Sequence, residues 1–289
     1  MKTFNKYLAR VRKANPLINA KYRASPLENK IITKMISMIS VKDTEFKEYT
    51  FNIKDLLGEL GAWKDNHSSI RKATFRLVQR CIEIEEEDWL LQISVLSSVK
   101  YHDKEWKISL CFDPKLKPYL LQLKGRYKTY IFKHILNLDS FYAQRFYELL
   151  KQYEFSWKRT MKITEIKNLF LIKDDEYVMY NNFKRKVLLQ AQKEINEKTD
   201  INISFNEIKI WRKVDSIEFH INKKEVINTE VINKNEIKIW RFININEIPE
   251  PYKSSMWERV NTYKENLNKM PSPRMIQGWY GKLKTWEEI

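Results

Sequence analysis

Apolar residues recur at helical spacing across residues 26–40, where Leu27, Ile31, Met35 and Met38 share one face. Ser25 suits the N-cap of that helix and Pro26 its first turn. Residues 48–53 alternate as a short strand, and residues 55–60 suit a short helix ended by Gly61. A longer helix follows, capped by Asn66 or Ser68 and running to about Cys81. It turns Ile70, Ala73, Thr74, Leu77 and Val78 inward. Two strand-like runs, 89–101 and 106–112, are joined by a turn at His102-Asp103-Lys104-Glu105, and residues 114–123 suit a helix packed on this unit.

The order then repeats. Ser140 suits the cap of a helix to Tyr153, with Tyr142, Phe146, Leu149, Leu150 and Tyr153 inward. Residues 160–163 form a short strand and 164–169 a short helix. Asn181 or Asn182 caps a long helix to about Lys198, and residues 200–210 and 212–221 alternate as two strands. In this register residues 49–57 line up with 161–169. Helix, strand, helix, helix, strand, strand, met twice, is the order of a winged helix-turn-helix. The expected fold class is α+β: two tandem winged-helix domains, residues 1–130 and 131–222, with a C-terminal extension at 223–289. The extension opens rich in Asn, Ile, Lys and Glu and carries Trp257, Trp279, Tyr280 and Trp286. Its pattern assigns no fold.

Charge changes the picture most. The 289 residues hold 53 Lys+Arg against 37 Asp+Glu, a formal +16, which draws polyanions. No apolar run approaches the roughly 18 residues of a membrane span. The early cations Lys2, Lys6, Arg10, Arg12 and Lys13 precede no apolar core, so no secretory signal is read. A bacterial cytoplasmic protein with no membrane partner is expected. Cys81 and Cys111 are no close pair, which argues against zinc, and both are expected as buried thiols. The five glycines open no phosphate loop, and the four histidines form no His-x-His pair. The carboxylates Glu83, Glu85, Glu86, Glu87 and Asp88 read as a solvated turn entering a wing rather than a metal site. The sequence therefore implies no catalytic residue, no metal and no cofactor.

Double-stranded DNA is the polyanion that the pattern fits. In the second repeat Phe183, Val187, Ala191 and Ile195 share an inner face that can dock on Leu149 and Leu150. Lys184, Arg185, Lys186, Gln190 and Lys193 then lie on or beside the outer face. Such a helix fits the major groove, where Arg and Lys bond guanine and Gln bonds adenine. Lys209, Arg212 and Lys213 on the wing suit phosphates. The equivalent surface of the first repeat holds Ser68, Ser69, Arg71, Lys72, Arg76 and Arg80, with Lys100 on its wing. The acidic run nearby weakens that field.

Several segments carry a family likeness. Lys13-Ala14-Asn15-Pro16-Leu17-Ile18 is followed by Leu27-Glu28-Asn29-Lys30-Ile31. Phe141-Tyr142-Ala143-Gln144-Arg145-Phe146-Tyr147-Glu148-Leu149-Leu150-Lys151-Gln152-Tyr153 is the most recognisable. Phe183-Lys184-Arg185-Lys186-Val187 continues to Ala191-Gln192-Lys193-Glu194-Ile195-Asn196-Glu197-Lys198-Thr199-Asp200-Ile201, and Trp211-Arg212-Lys213-Val214 closes the match. Over most of residues 11–222 the chain resembles the iteron-binding replication initiators (Rep proteins) of theta-replicating plasmids. It departs at Trp211, where the family often has Gly. The resemblance implies two domains straddling one iteron, each with a helix in a major groove. It implies monomers that bind direct repeats and help open AT-rich duplex, in equilibrium with homodimers that form largely through the first domain. Those dimers repress the protein's own gene. It also implies recruitment of the host initiator and the replicative helicase.

The leading expectation is thus a non-enzymatic replication initiator. A winged-helix transcriptional repressor is the alternative, and a DNA-nicking relaxase a more distant one.

Overall fold

The computed structural model describes residues 9–62 and 67–224. The Asn66 cap and residues 225–289 of the extension lie outside that span.

The described chain opens with strand β1 (Arg10–Ala14), one turn α1 (Asn15–Ile18) and helix α2 (Pro26–Ser37). At the start of α2 the Ser25 hydroxyl accepts from the Glu28 N–H, and the Glu28 carboxylate accepts from the Ser25 N–H. Two otherwise orphaned donors are thereby satisfied, and Pro26 sits where its missing N–H costs nothing. Strand β2 (Tyr49–Asn52) runs straight into α3 (Ile53–Glu59), because Asn52 Oδ1 accepts from the N–H groups of Lys54 and Asp55. Helix α4 (His67–Gln79) is followed by β3 (Cys81–Glu85), β4 (Leu90–Ser94), β5 (Leu96–His102) and β6 (Lys107–Phe112). A short α5 (Lys117–Leu120), β7 (Tyr127–Ile131) and α6 (Phe132–Asn137) complete the first half.

The second half repeats the plan. Helix α7 (Phe141–Lys151) leads to β8 (Lys158–Lys162) and α8 (Ile163–Leu169). One helical rod then runs through α9 (Tyr180–Phe183), a π segment (Lys184–Leu189) and α10 (Gln190–Lys198). The hairpin of β9 (Ile201–Ile210) and β10 (Lys213–Lys223) ends it. The two three-stranded sheets have the same order, β2-β6-β5 and β8-β10-β9. In each, the strand entering the helix pair lies beside the returning strand of the wing. The expected α+β class with two tandem winged helices is therefore what the chain adopts.

Several local expectations are corrected. The run 89–101 is not one strand: it breaks at Val95 into β4, which pairs with β3, and β5, which pairs with β6. The first wing is β5–β6. The acidic run belongs to an inserted hairpin ahead of it, with Glu83 and Glu85 on β3 itself. Alternation along β3 buries Ile82 and Ile84 and turns Cys81 outward, so Cys81 is an exposed thiol and Cys111 half-buried. The helix pairs start at Ile53 and Ile163, so residue 51 corresponds to 161 and the expected register was two residues off. A shift of two preserves strand alternation, which is why the pattern did not reveal it. Ser140 makes no side-chain cap; Glu194 instead accepts from the N–H groups of Asp139 (2.7 Å) and Ser140 (3.0 Å). The long helix is preceded by Met179, with no side-chain cap from Asn181 or Asn182.

The two halves meet along α7, which packs on α2 and on α10. Its apolar face behaves as expected, but its polar residues Gln144, Arg145, Glu148 and Lys151 are buried as well. Glu148 accepts from Lys13 Nζ at 2.6 Å, from Arg145 at 3.2 Å and from the Tyr130 hydroxyl. Arg145 donates to the Ala20 carbonyl at 2.9 Å and stacks on Tyr22. Gln144 and Asn29 bond at 3.0 Å. Burial alone would raise the Glu148 pKa; Lys13 and Arg145 outweigh it and hold the carboxyl below its usual range. The seam of the molecule is thus a polar network, hydrogen-bonded except at the buried Arg145 Nε, rather than an apolar sheet of contacts.

Candidate nucleic-acid interface

In the first half, Ile70, Ala73, Thr74 and Leu77 bury one face of α4. Ser68, Arg71, Lys72 and Arg76 are exposed and Ser69 is half-buried. Most of the arginines are engaged. Arg71 pairs with Asp103 of the wing at 3.1 Å and lies over the Tyr101 ring. Arg76 approaches the fully buried Glu28 at 3.7 Å. Arg80 is not on the helix face as expected: α4 ends at Gln79, and Arg80 turns inward to Glu28 (3.1 Å) and the Arg23 carbonyl. Lys72 and Lys100 remain exposed, with no ion pair among the described residues.

The same helix presents a residue that the reading of the sequence passed over. Phe75 is 61% exposed, between Lys72 and Arg76. At about 100° per residue it lies about 140° from Ile70, near the middle of the outer face. A helical wheel would have found it; an inventory of charges does not.

In the second half the rod from Tyr180 to Lys198 buries Phe183, Val187, Ala191 and Ile195 as expected, with Leu188 beside them. Residues spaced by four drift about 40° per step around an α-helix. The wider turn of the π segment takes up that drift and keeps the four on one face. Each large apolar side chain buried there contributes about 1.5–3 kcal/mol, so the rod's outer face is held in place by its inner one. Arg185, Lys186, Gln190 and Lys193 are exposed on it. Lys184 is half-buried and pairs with Glu207 at 2.7 Å, which is the main reason the Glu207 carboxyl sits below its usual range. Gln190 donates to Glu194 at 2.7 Å. Arg185, Lys186 and Lys193 make no ion pair or hydrogen bond among the described residues.

The second wing adds Lys209, Arg212 and Lys213, all exposed. Ile210 pairs with Lys213 across a two-residue loop, Trp211-Arg212. Trp211 has φ 59, the left-handed region that a glycine adopts freely at the first loop position. A side chain there costs roughly 1–2 kcal/mol. Trp211 is 96% exposed. The departure from the family's usual glycine is therefore a strained, solvent-facing indole at the wing tip.

Two adjoining profiles cover this architecture: that of the initiator replication protein WH1 domain matches residues 10–151, and that of the initiator Rep protein WH2 domain matches residues 162–221. The chain belongs to the initiator Rep protein family. No curated protein matches this initiator significantly. Among solved structures, the crystal structure of Pi initiator protein in complex with iteron DNA is similar at TM-score 0.60 and 20% identity. The match covers 77% of this initiator and 100% of that chain. At that identity the likeness speaks for the shared fold. The first profile includes α7, in keeping with the polar bonds that this helix makes back to β1 and α2. Among the described residues of the initiator no helix is long and apolar enough to cross a membrane.

Proposed function

We propose that this initiator starts plasmid replication by binding direct repeats of origin DNA, with one recognition helix from each half in successive major grooves. The observation that carries this reading is the repeated winged helix itself: two exposed helix faces, each beside its own wing, in one unit held by α7. The halves divide the work. The outer face of α4 has its arginines largely neutralised by Asp103 and Glu28, whereas Arg185, Lys186, Lys193, Arg212 and Lys213 make no ion pair among the described residues and Lys209 has only the nearby charge of Glu207. The second half is the main sequence-reading element and the first a weaker, second contact. The initiator acts in the cytoplasm and without chemistry on DNA. Homodimers form in equilibrium with monomers, and host initiator and helicase are recruited to the opened origin. A winged-helix repressor would use the same surface; a lone inverted repeat beside the gene, in place of tandem direct repeats, favours that reading.

Fluorescence anisotropy on a duplex carrying the direct repeats tests the proposal. Six exposed cations on the second half predict a plot of log K against log salt steeper than about −4. A flat plot, or equal affinity for scrambled duplex, overturns it. Incubation with supercoiled plasmid and magnesium is expected to leave it intact, and nicking would revive the relaxase reading.

Phe75 gives a second prediction. An exposed phenyl among cations on a recognition helix suits a thymine methyl. Replacing that thymine by deoxyuridine is expected to weaken the wild type about threefold to fivefold, the value of one buried methyl group. Phe75→Ala is expected to be indifferent to the exchange; equal sensitivity of both proteins would remove Phe75 from the interface.

A further inference from the structure

The tip of the second wing does not look like a phosphate clamp alone. The end of β9 and the loop, Ile208 to Lys213, are exposed on both strand faces, so the tip projects clear of the packed sheet. A register shift between Val214 and Ser216 adds a bulge just behind it, a feature that bends and twists a hairpin. Trp211 is the most exposed large apolar side chain of the described residues. It occupies a left-handed position that glycine would fill at no cost, and the exposed Lys209, Arg212 and Lys213 lie within two residues of it in the chain. A strained backbone bearing an exposed side chain points to use of that side chain.

The first wing supplies the contrast. Trp106 is also left-handed, at φ 53, and 63% exposed, but its ring packs edge-on against His67 at 5.4 Å. Its neighbours Asp103 and Glu105 pair with Arg71 and Lys107. The charges of that tip are largely paired and its indole has a ring partner, whereas the second tip is cationic and its indole is 96% exposed.

We propose that Trp211 is a wedge that enters the minor groove of bound duplex and partly unstacks one base step, so that this wing bends the DNA. The inference rests on the DNA-binding reading above. Apolar side chains inserted between base steps kink duplexes, and flexible pyrimidine–purine steps yield most readily. In this proposal the neighbouring cations hold phosphates on either side of the groove while the indole enters between them. A protein partner would have no use for that collar unless it were strongly acidic.

The test compares the full chain with Trp211→Gly and Trp211→Phe on a repeat-containing duplex. End-to-end energy transfer reads the bend, and 2-aminopurine placed at successive positions reads unstacking. The wild type is expected to shorten the duplex and to brighten 2-aminopurine at one step. Trp211→Gly is expected to lose both signals and to bind about tenfold more weakly, while Trp211→Phe retains most of each. Glycine suits the loop, so an unchanged or raised melting temperature shows that Trp211→Gly still folds. If the wild type binds and Trp211→Gly bends and binds equally well, the wedge is overturned and the DNA-binding reading stands. A loss confined to single-stranded DNA, with bending intact, also overturns it. If the wild type binds no duplex, both readings fall together.

Discussion

Glu148→Ala is expected to remove about 3–5 kcal/mol of folding stability, the usual cost of taking one member out of a buried charge cluster. The carboxylate is fully buried and serves three donors from three elements: Lys13 on β1, Tyr130 on β7 and Arg145 on α7. Truncation leaves two cations in the interior without their counterion. Arg145 keeps the Ala20 carbonyl and the Tyr22 ring, but Lys13 keeps nothing comparable among the described residues. Against a typical total of about 5–15 kcal/mol, this loss is large enough to leave a substantial unfolded fraction at 37 °C. Urea denaturation of wild type, Glu148→Ala, Lys13→Ala and the double variant measures it. The two single losses are expected to exceed their share of the double by at least about 1 kcal/mol. Additive losses, or a Glu148→Ala loss below about 1 kcal/mol, would show that the cluster does not hold the seam.

The same carboxylate sets a pH dependence. Its folded pKa lies below the unfolded value, so its contribution is present above roughly pH 4.5 and is lost as pH falls through the folded pKa. Asp200 behaves alike: burial would raise it, but His134 and Lys151 hold it below its usual range. Acid unfolding of the wild type is therefore expected to steepen below about pH 4.5. Glu148→Gln is expected to start less stable and to lose less on acidification.

The Glu148 cluster also marks where sequence reading stopped. Apolar periodicity located the longer helices and the second wing, because those elements bury one face and solvate the other, but it missed α1, α6, β1, β3 and β7 and merged β4 with β5. Phe183, Val187, Ala191 and Ile195 were legible for that reason. Helix α7 obeys a different rule. It is buried on both sides, and its polar half is satisfied by residues more than a hundred positions away in the chain, such as Asn29, Lys13 and Ala20. Local spacing holds no trace of those partners, so the burial of Gln144, Arg145 and Glu148 could not be read from it. The candidate site divides in the same way. That Arg185 and Lys186 are outward follows from the inner face opposite. That Arg80 is turned inward, or that Lys184 is held by Glu207, depends on where Glu28 and Glu207 come to lie after folding. Trp211 was legible as a departure from the family pattern, and its meaning needed the backbone angle.

Those pairings single out Arg185. Of the cationic run at 184–186, Lys184 is already committed to the wing, and Lys186 carries a compact charge that fixes little geometry. Arg185 is exposed, unpaired among the described residues, and carries a planar fork that can bond guanine O6 and N7 together. Arg185→Ala is expected to weaken binding to the direct repeat by about 1–3 kcal/mol, roughly tenfold to a hundredfold. Binding to unrelated duplex is expected to fall far less, and folding stability to stay within about 0.5 kcal/mol because no packed contact is lost. Lys186→Ala serves as the contrast: a phosphate contact weakens all sequences alike and lowers the salt slope by about one. The measurement is a pair of salt titrations, on the repeat and on scrambled duplex, for each variant. Equal losses on both duplexes for Arg185→Ala, with the slope reduced by about one, would make Arg185 a phosphate contact and move base reading elsewhere on the rod. A loss on the repeat alone makes the step from basic helix face to recognition helix, because only a base contact distinguishes one sequence from another.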